Sequence, residues 1–543
     1  MTAVALDRPR PRPGGGQLAG TRGLVRLALR ADRVRIVVWA VAVGYLMLVS
    51  VQSYERLFPD ATARQARAEL MASPAATALA GPGFGLDDYT TGAMVANELY
   101  LWVLVPVAIM AVLAVTRHLR APEEDGRLEL VRSAPVGRDA PVVAGLVAAA
   151  AAVVAVGAVT FGLLLTTDLD AGGSALLCAG LVLTGLVFAG VSAIASQVSS
   201  AARSASAIGM AAVGAAVVLR AVGDVQGPRS TSVWSWLSPF GWAQATAPYT
   251  LDRWWPLLVP VGAAVVTVGV AFALVGRRDH GSGLVAERLG RARGTVGGVV
   301  GLTWRRQRTS ILAWSIAIVL TGVFVGVLAQ SLVDFIETES QDVQQLFPAG
   351  ENGAVASVFA VYVVFLAVMA SAYAATAVGA ARSEEVAGRA AAVLAAPVSR
   401  RRWLGAQVAL AGGVAVVTML VTGVLMGAAG ARSLDDPGQL GDLLGAAAVT
   451  LPGVLVVLGV AVLLLGAAPR AFPVVWAYVA YVGLIGVLGG VLPDGADALS
   501  PFAYLPALPS EPMSWGPVAA VTAVGALLVV AGLAAFRRRD ALG

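Results

Sequence analysis

The sequence predicts an all-α polytopic membrane protein of about twelve transmembrane helices, arranged as two parallel six-helix repeats. Three observations predict it. Of 543 residues, 58% are hydrophobic and 13% charged, with mean hydropathy +0.78, whereas a soluble globule carries about 25% charged residues. Apolar runs recur along the whole chain, each long enough to cross a hydrocarbon layer of about 30 Å as a helix. A set of residues in the first half also returns in the second at a fixed offset. Lipid offers no partner for backbone amides, so a span satisfies them internally. The short alternating segments of a closed barrel are absent, which leaves helices.

In the first half the runs fall at 34–54, 97–116, 140–166, 174–196, 205–223 and 255–275. In the second they fall at 309–331, 354–380, 403–430, 442–467, 472–491 and 516–536. All 38 basic residues are arginine. With the amino terminus inside, 31 of them lie in inner segments and six (Arg56, Arg64, Arg67, Arg229, Arg253 and Arg432) outside. Arg220 sits near the end of span five. Basic residues accumulate on cytoplasmic loops, so both termini are expected in the cytoplasm. Outer loops are acidic, as at Asp334, Glu337, Glu339, Asp342 and Glu351. Trp254, Trp255 and Trp515 start spans at the outer interface and Trp403 at the inner, as ordinary anchors. The start of the chain, Pro/Arg/Gly-rich and lacking a compact apolar core before a cleavage site, is not a signal peptide.

The repeat is long. Glu123, Gly126, Arg127, Val131, Ala134, Pro135, Val136 and Arg138 match Glu385, Gly388, Arg389, Val393, Ala396, Pro397, Val398 and Arg400, every pair 262 apart. Ser238-Pro239-Phe240 matches Ser500-Pro501-Phe502 at the same offset. Trp254 then aligns with Trp515, and Arg277-Arg278-Asp279 with Arg538-Arg539-Asp540, after one residue of slippage. Upstream, Arg30, Arg33 and Trp39 match Arg305, Arg308 and Trp314 at 275, so the first half carries about 13 more residues in its first outer loop. The resulting division is a flexible cytoplasmic tail (1–22), a first permease unit (23–279), a cytoplasmic linker (280–298) and a second permease unit (299–543). An even number of spans per copy gives both the same orientation, related by an axis along the membrane normal. Parallel six-helix units commonly flank a transport pathway.

Composition excludes several chemistries. With no lysine the chain lacks a Gly-x-x-x-x-Gly-Lys-[Ser/Thr] phosphate loop, whose lysine reaches the terminal phosphates, so it is not its own conventional ATPase. Cys178 is the only cysteine and His118 and His280 the only histidines. One cysteine excludes an internal disulfide and a zinc–cysteine cluster, and Cys178 reads as a small core residue. The net charge of +5 follows from the arginines of inner loops and implies no nucleic acid. No catalytic residue and no metal site is expected.

Each half has one prominent inner loop between its second and third spans. Glu123/Arg127 and Glu385/Arg389 are spaced i,i+4 with Glu first, the favourable order for a helical ion pair. Pro135 and Pro397 then stop a helix before the next span. A short charged helix at the membrane surface is expected in each half. It is either a solvated turn whose arginines reach lipid phosphates or a docking element for a cytosolic partner. The stretches Gly23–Arg35 and Val285–Arg308, Arg-rich and partly apolar, read as interfacial helices along the inner leaflet.

Interfacial helix, span, outer loop, span, short helix ending in Pro-Val-[Gly/Ser]-Arg, then four more spans: this order resembles the permease unit of type-2 ABC exporters. The duplication, with Pro122-Glu123-Glu124-Asp125-Gly126-Arg127-Leu128-Glu129-Leu130-Val131-Arg132-Ser133 and Leu219-Arg220-Ala221-Val222-Gly223-Asp224, looks like the fused permeases of the actinobacterial tetronasin-resistance type. That resemblance covers nearly the whole chain, with distinctive motifs over about forty residues. It implies that the loop helix seats on a cytosolic ABC ATPase. Glu123, Glu124, Gly126, Arg127 and Glu129 would contact one subunit of an ATPase homodimer, and Glu385, Gly388 and Arg389 the other. ATP and Mg would reside on that partner, with no cofactor on this chain. Val386, Ala387 and Ala391 replace Glu124, Asp125 and Glu129, so the second docking element is less polar. The resemblance also implies export across a bacterial plasma membrane of a small hydrophobic or amphipathic substrate such as an antibiotic, with membrane lipids as surroundings.

Two rivals remain. A proton-coupled drug carrier needs protonatable groups within the membrane, and the spans offer little beyond Glu98 and Arg220 near outer ends. The major facilitator Gly-x-x-x-Asp-Arg-x-Gly-Arg-Arg pattern is also missing. A membrane-embedded transferase could use Asp87-Asp88 to bind a metal-chelated donor, but an acidic pair in a Gly-rich loop is more often simply solvated.

Overall fold

The computed structural model describes residues 16–72, 74–227, 229–277, 283–285, 297–330, 354–488, 495 and 497–539. The first 15 residues of the tail, most of the 280–298 linker including His280, the acidic positions from Asp334 to Glu351, and Arg278-Asp279 and Asp540 of the terminal match lie outside the described residues. The chain is all-α and divides into two compact units, Met1–Gly290 and Arg291–Gly543.

The first unit contains α1 (Thr21–Leu57), α2 (Ala61–Met71), α3 (Pro74–Leu79), α4 (Thr91–Glu124), α5 (Arg127–Arg132), α6 (Ala140–Leu164), α7 (Ala171–Val198), α8 (Ala202–Gln226), α9 (Val233–Trp236), α10 (Pro239–Gln244) and α11 (Trp255–Val275). The second contains α12 (Gly298–Val327), α13 (Ala354–Val386), α14 (Arg389–Leu394), α15 (Arg400–Ser433), α16 (Gln439–Ala467), α17 (Val474–Leu488) and α18 (Trp515–Arg538). Among the described residues, 11 of these helices are long and apolar enough to cross a membrane. The stretch read as span 472–491 holds the shorter apolar α17, 15 residues long. The protein is a polytopic all-α membrane protein.

Lipid, not water, surrounds such a bundle, so the burial pattern follows contact between helices. In the first unit α4 and α7 are the most enclosed and α11 the least; in the second α13 and α16 are enclosed and α18 is exposed. Each unit has its own core. Tyr100, Leu104, Val107, Leu181 and Phe188 centre the first, and Leu366, Tyr373, Leu404, Met419 and Val457 the second.

Small residues set the closest approaches. Parallel neighbours α16 and α18 touch backbone to backbone: a Cβ on Gly466 would lie 2.2 Å from the Gly532 carbonyl oxygen, and one on Gly459 2.6 Å from Leu528 Cβ. Only glycine permits this spacing.

Two expectations need correction. Gly23–Arg35 is not a separate interfacial helix; it is the first part of the 37-residue α1. Nothing interrupts the hydrogen-bond ladder there, because Asp32 is satisfied outside it, by Arg35 at 2.7 Å, Arg117 at 3.1 Å and His118 at 2.7 Å. Of Val285–Arg308, residues 298–308 likewise run into the span as the start of α12.

The loop after α1 folds into a cap carried by α2 and α3, at the end of the unit opposite the arginine-rich one. Phe58, Ala68, Met71, Tyr89 and Met94 form its core. A π turn at Val95–Leu99 buries both Asn97 and Glu98. Asn97 pairs with both backbone groups of Phe84 (2.7 and 3.1 Å), and Glu98 accepts from Arg67 at 2.7 Å and Tyr89 at 3.0 Å. Arg220, fully buried on α8, donates to the Ala78 carbonyl of the cap and lies 3.4 Å from Asp224. Glu98 and Arg220, the charges noted near span ends, therefore fasten the cap.

Candidate functional site

The expected surface helices are present at the arginine-rich end of each unit. Helix α4 ends where Gly126 turns to φ 72°, ψ −1°, a left-handed conformation that glycine adopts without Cβ strain. Helix α13 ends the same way at Gly388, φ 71°, ψ −2°. Six-residue helices follow, α5 and α14. The Ala-Pro-Val turns close alike, Val136 N–H donating to Ala134 O at 2.7 Å and Val398 N–H to Ala396 O at 2.6 Å.

Glycine at 126 and 388 overturns the expected ion pairs. The i,i+4 rule assumes one continuous helix, and here the helix stops between the two partners. Glu123 instead takes Arg120 at 2.5 Å, and Arg127 takes Asp125 at 2.5 Å. Glu385 takes Arg539 at 2.5 Å, and Arg389 takes Glu384 at 3.2 Å. Glu123 and Glu124 thus belong to the last turn of α4, and Glu385 to that of α13. Only Arg127, Glu129 and Arg389 sit on the surface helices, where all three are exposed. Leu130 beside them is 75% exposed, an apolar side chain presented to solvent.

Beneath this exposed face the loops are tied into their bundles. Arg120, 1% exposed, donates to the Ser200 carbonyl from Nε (2.8 Å) and Nη2 (2.5 Å). Glu124 accepts from the Ala202 amide at 2.7 Å, placing a carboxylate at the N-terminus of α8, where the helix dipole favours negative charge. Arg138 donates to the Val275 carbonyl at the end of α11, at 3.2 Å.

The second unit repeats the grips with other residues. Arg382 Nε donates to Pro469 O at 2.9 Å while its guanidinium lies over the Phe472 ring. Arg400 donates to Arg539 O at 2.6 Å, just past α18. Arg539 lies over Phe536, whose ring stacks on Trp403. Val386, where the first unit has Glu124, is 66% exposed.

One difference explains the Gly/Ser alternation in the Pro-Val-[Gly/Ser]-Arg motif. In the first unit the segment before α1 runs along the corner, with Gly137 N–H donating to Ala19 O (2.9 Å) and Asp139 N–H to Gln17 O (3.1 Å). A Cβ at 137 would lie 2.1 Å from the Gln17 carbonyl oxygen. Ser399 in the second unit instead caps α15, its Oγ accepting from the Arg402 amide at 3.2 Å. Residues 17–19, within the stretch read as a flexible tail, are the strap.

Inspection of the motifs missed Arg120, Arg382 and Asp32. The first two are themselves 262 apart, so carrying the alignment three residues upstream of Glu123 finds them. Asp32 has no such signal, because its counterpart at the 275 offset is Gln307, which binds Gln407 at 3.2 Å. In the second unit the tie between the first two long helices has opposite polarity, Arg306 on α12 pairing with Glu384 on α13.

A family model described as "Multidrug efflux system permease Rv1217c, C-terminal domain" matches residues 296–537. The multidrug efflux system permease protein Rv1217c of Mycobacterium tuberculosis is 36% identical over 556 aligned positions, covering 99% of this chain and 100% of that protein. The chain belongs to this permease family. It is accordingly a transmembrane permease, a transport subunit. The family-model match takes in nearly all of the second unit, with Glu385, Gly388 and Arg389, and the full-length relative extends the kinship to the cap, the strap and the first surface helix.

Proposed function

We propose that this chain is the membrane-spanning subunit of an ATP-driven ABC exporter, a fused permease of the tetronasin-resistance type built from two copies of one six-helix unit. Its arginine-rich end faces the cytoplasm of a bacterium and its capped end the outside. Surface helices α5 and α14 dock on a dimer of cytosolic ABC ATPase subunits, which carry ATP and Mg. The cargo is hydrophobic or amphipathic, in keeping with the multidrug description of the M. tuberculosis relative.

The observation that carries this reading is the construction of the two surface helices. Each is set off by a left-handed glycine and wired through buried charge to the bundle beneath, with its outer face free. A solvated turn needs no such wiring; an element that receives force does. The absence of lysine supports the same reading, because a permease without a phosphate loop draws on ATP hydrolysed elsewhere. Engagement of Glu98 by Arg67 and Tyr89 counts against a proton-coupled carrier, whose carboxylate must cycle between partners.

The test is affinity purification of the tagged chain from gently solubilised membranes, followed by drug transport in vesicles. The exporter reading expects a co-purifying P-loop ATPase and efflux that persists when the proton gradient is collapsed. Efflux that stops with the gradient, and no ATPase in the purified material, would sink it.

A further inference from the structure

A surface helix is covalently joined to the second and third long helices of its unit and to no others. Among the described residues, α8 in the first unit and α17 in the second are reached only through side chains. In the first unit two residues of the last α4 turns make that reach, one to the short turn between α7 and α8 and one to the first residue of α8. Arg120 holds the Ser200 carbonyl from two nitrogens, and Glu124 holds the Ala202 amide. The guanidinium is fixed from the other side by Glu123. In the second unit, among the described residues, Arg382 alone makes the matching grip, on Pro469 in the turn before α17. Both arginines stand three residues before the glutamates read as docking residues, and both point at main-chain oxygen.

We propose that Arg120 and Arg382 are positioning residues that carry a displacement of the surface helix to α8 in the first unit and to α17 in the second. The linkage is double in the first unit and single in the second. This rests on the reading of α5 and α14 as ATPase-docking elements. A pushed helix moves a neighbour only if the contact between them is stiff. A charge-assisted bond from a guanidinium is among the stiffest a protein makes without a covalent link. Buried Arg120 makes two such bonds to one carbonyl oxygen, and half-buried Arg382 makes one, with its guanidinium held over the Phe472 ring. Packing alone would leave the turn free to slide, since Ser200 and Pro469 share no side-chain chemistry through which a docked helix could hold both.

The experiment uses the complex with its co-purified ATPase in proteoliposomes, reading ATP hydrolysed per drug molecule moved. Arg382→Ala, which removes the grip on the turn before α17, should raise that ratio about tenfold, the equivalent of one charge-assisted contact. Arg120→Ala should raise it less, because Glu124 remains, and adding Glu124→Ala should bring the first unit to the level of Arg382→Ala. Lysine at either position should restore part of the coupling, since one ammonium donor can still reach the carbonyl.

A second readout does not depend on turnover. In a Cys178→Ala background, spin labels at Leu130→Cys on α5 and Ser204→Cys on α8 report one distance. It should stay narrow through nucleotide addition with Arg120 present and broaden with Arg120→Ala plus Glu124→Ala. ATP-dependent drug movement by the unsubstituted complex, with ratio and distance unchanged in the variants, would overturn the linkage alone. No ATP-dependent drug movement by the unsubstituted complex would overturn the docking reading, and the linkage with it.

Discussion

Position 137 and its counterpart 399 show how one motif position serves two purposes. Gly137 lets residues 17–19 pass within hydrogen-bond reach of the corner before α6, whereas Ser399 caps a helix. Gly137→Ala is expected to push the strap away, costing about 1–3 kcal/mol as overpacking, with loss of hydrogen-exchange protection at the Gly137 and Asp139 amides. Ser399→Ala should cost about 1 kcal/mol, the usual worth of a cap, and leave those amides protected. Equal protection loss in both variants would remove the strap explanation. The Gly/Ser alternation is visible in the sequence, but its cause is not, because the strap comes from residues 120 positions away. Likewise, spacing alone pairs Glu123 with Arg127. It fails because a single left-handed glycine between them ends the helix whose geometry the spacing presumes.

Helices were legible where lipid leaves no alternative. A run of apolar residues long enough to span must be helical, and every stretch so read contains a helix. Ends were less legible, since charged residues continue α1 and α13 well past the apolar run. Their side chains find partners on neighbouring helices, Asp32 on α4 and Glu384 on α12. Contacts between helices were not legible at all. The glycines of α16 and α18 carry the clearest consequence: Gly466→Ala and Gly532→Ala should each lower stability by about 1–3 kcal/mol, read as thermal unfolding in detergent. Gly413→Ala on α15, where a Cβ meets nothing within 4 Å, should be neutral or slightly stabilising. The cap makes a second test. Arg67→Ala leaves Glu98 buried without its cation and should cost about 3 kcal/mol, with protease cutting between residues 61 and 79 before the bundle yields. Simultaneous loss of cap and bundle would mean the cap is no separate element.

For the whole molecule, the relevant fact is that each unit encloses its own core. The clusters around Tyr100 and around Tyr373 share no residue across the division at 290. Chains 1–290 and 291–543 expressed together are therefore expected to insert and to unfold with separate transitions, measurable by protease resistance of each fragment. Failure of either to resist protease alone would show that its core depends on the other. The offset of 262 makes a comparison of the two units legible in the sequence. The unlike chemistry of the halves was only partly so. Loss of Glu124 at Val386 is plain in the sequence, while the reversed polarity of Asp32–Arg117 against Arg306–Glu384 needs coordinates, because the partners sit at unmatched positions.

Four arginines of the surface loops, Arg120, Arg138, Arg382 and Arg400, all grip carbonyl oxygens of the main chain. Every residue type supplies that oxygen, so selection can act on the arginine without acting on what it holds. Serine, valine, proline and arginine already occupy the gripped positions. Across diverging relatives the turns can drift freely while the arginines stay fixed, and co-variation between the two would be silent. A deep mutational scan should find the four arginines intolerant and Ser200, Val275 and Pro469 permissive, a pattern easily mistaken for residues acting alone.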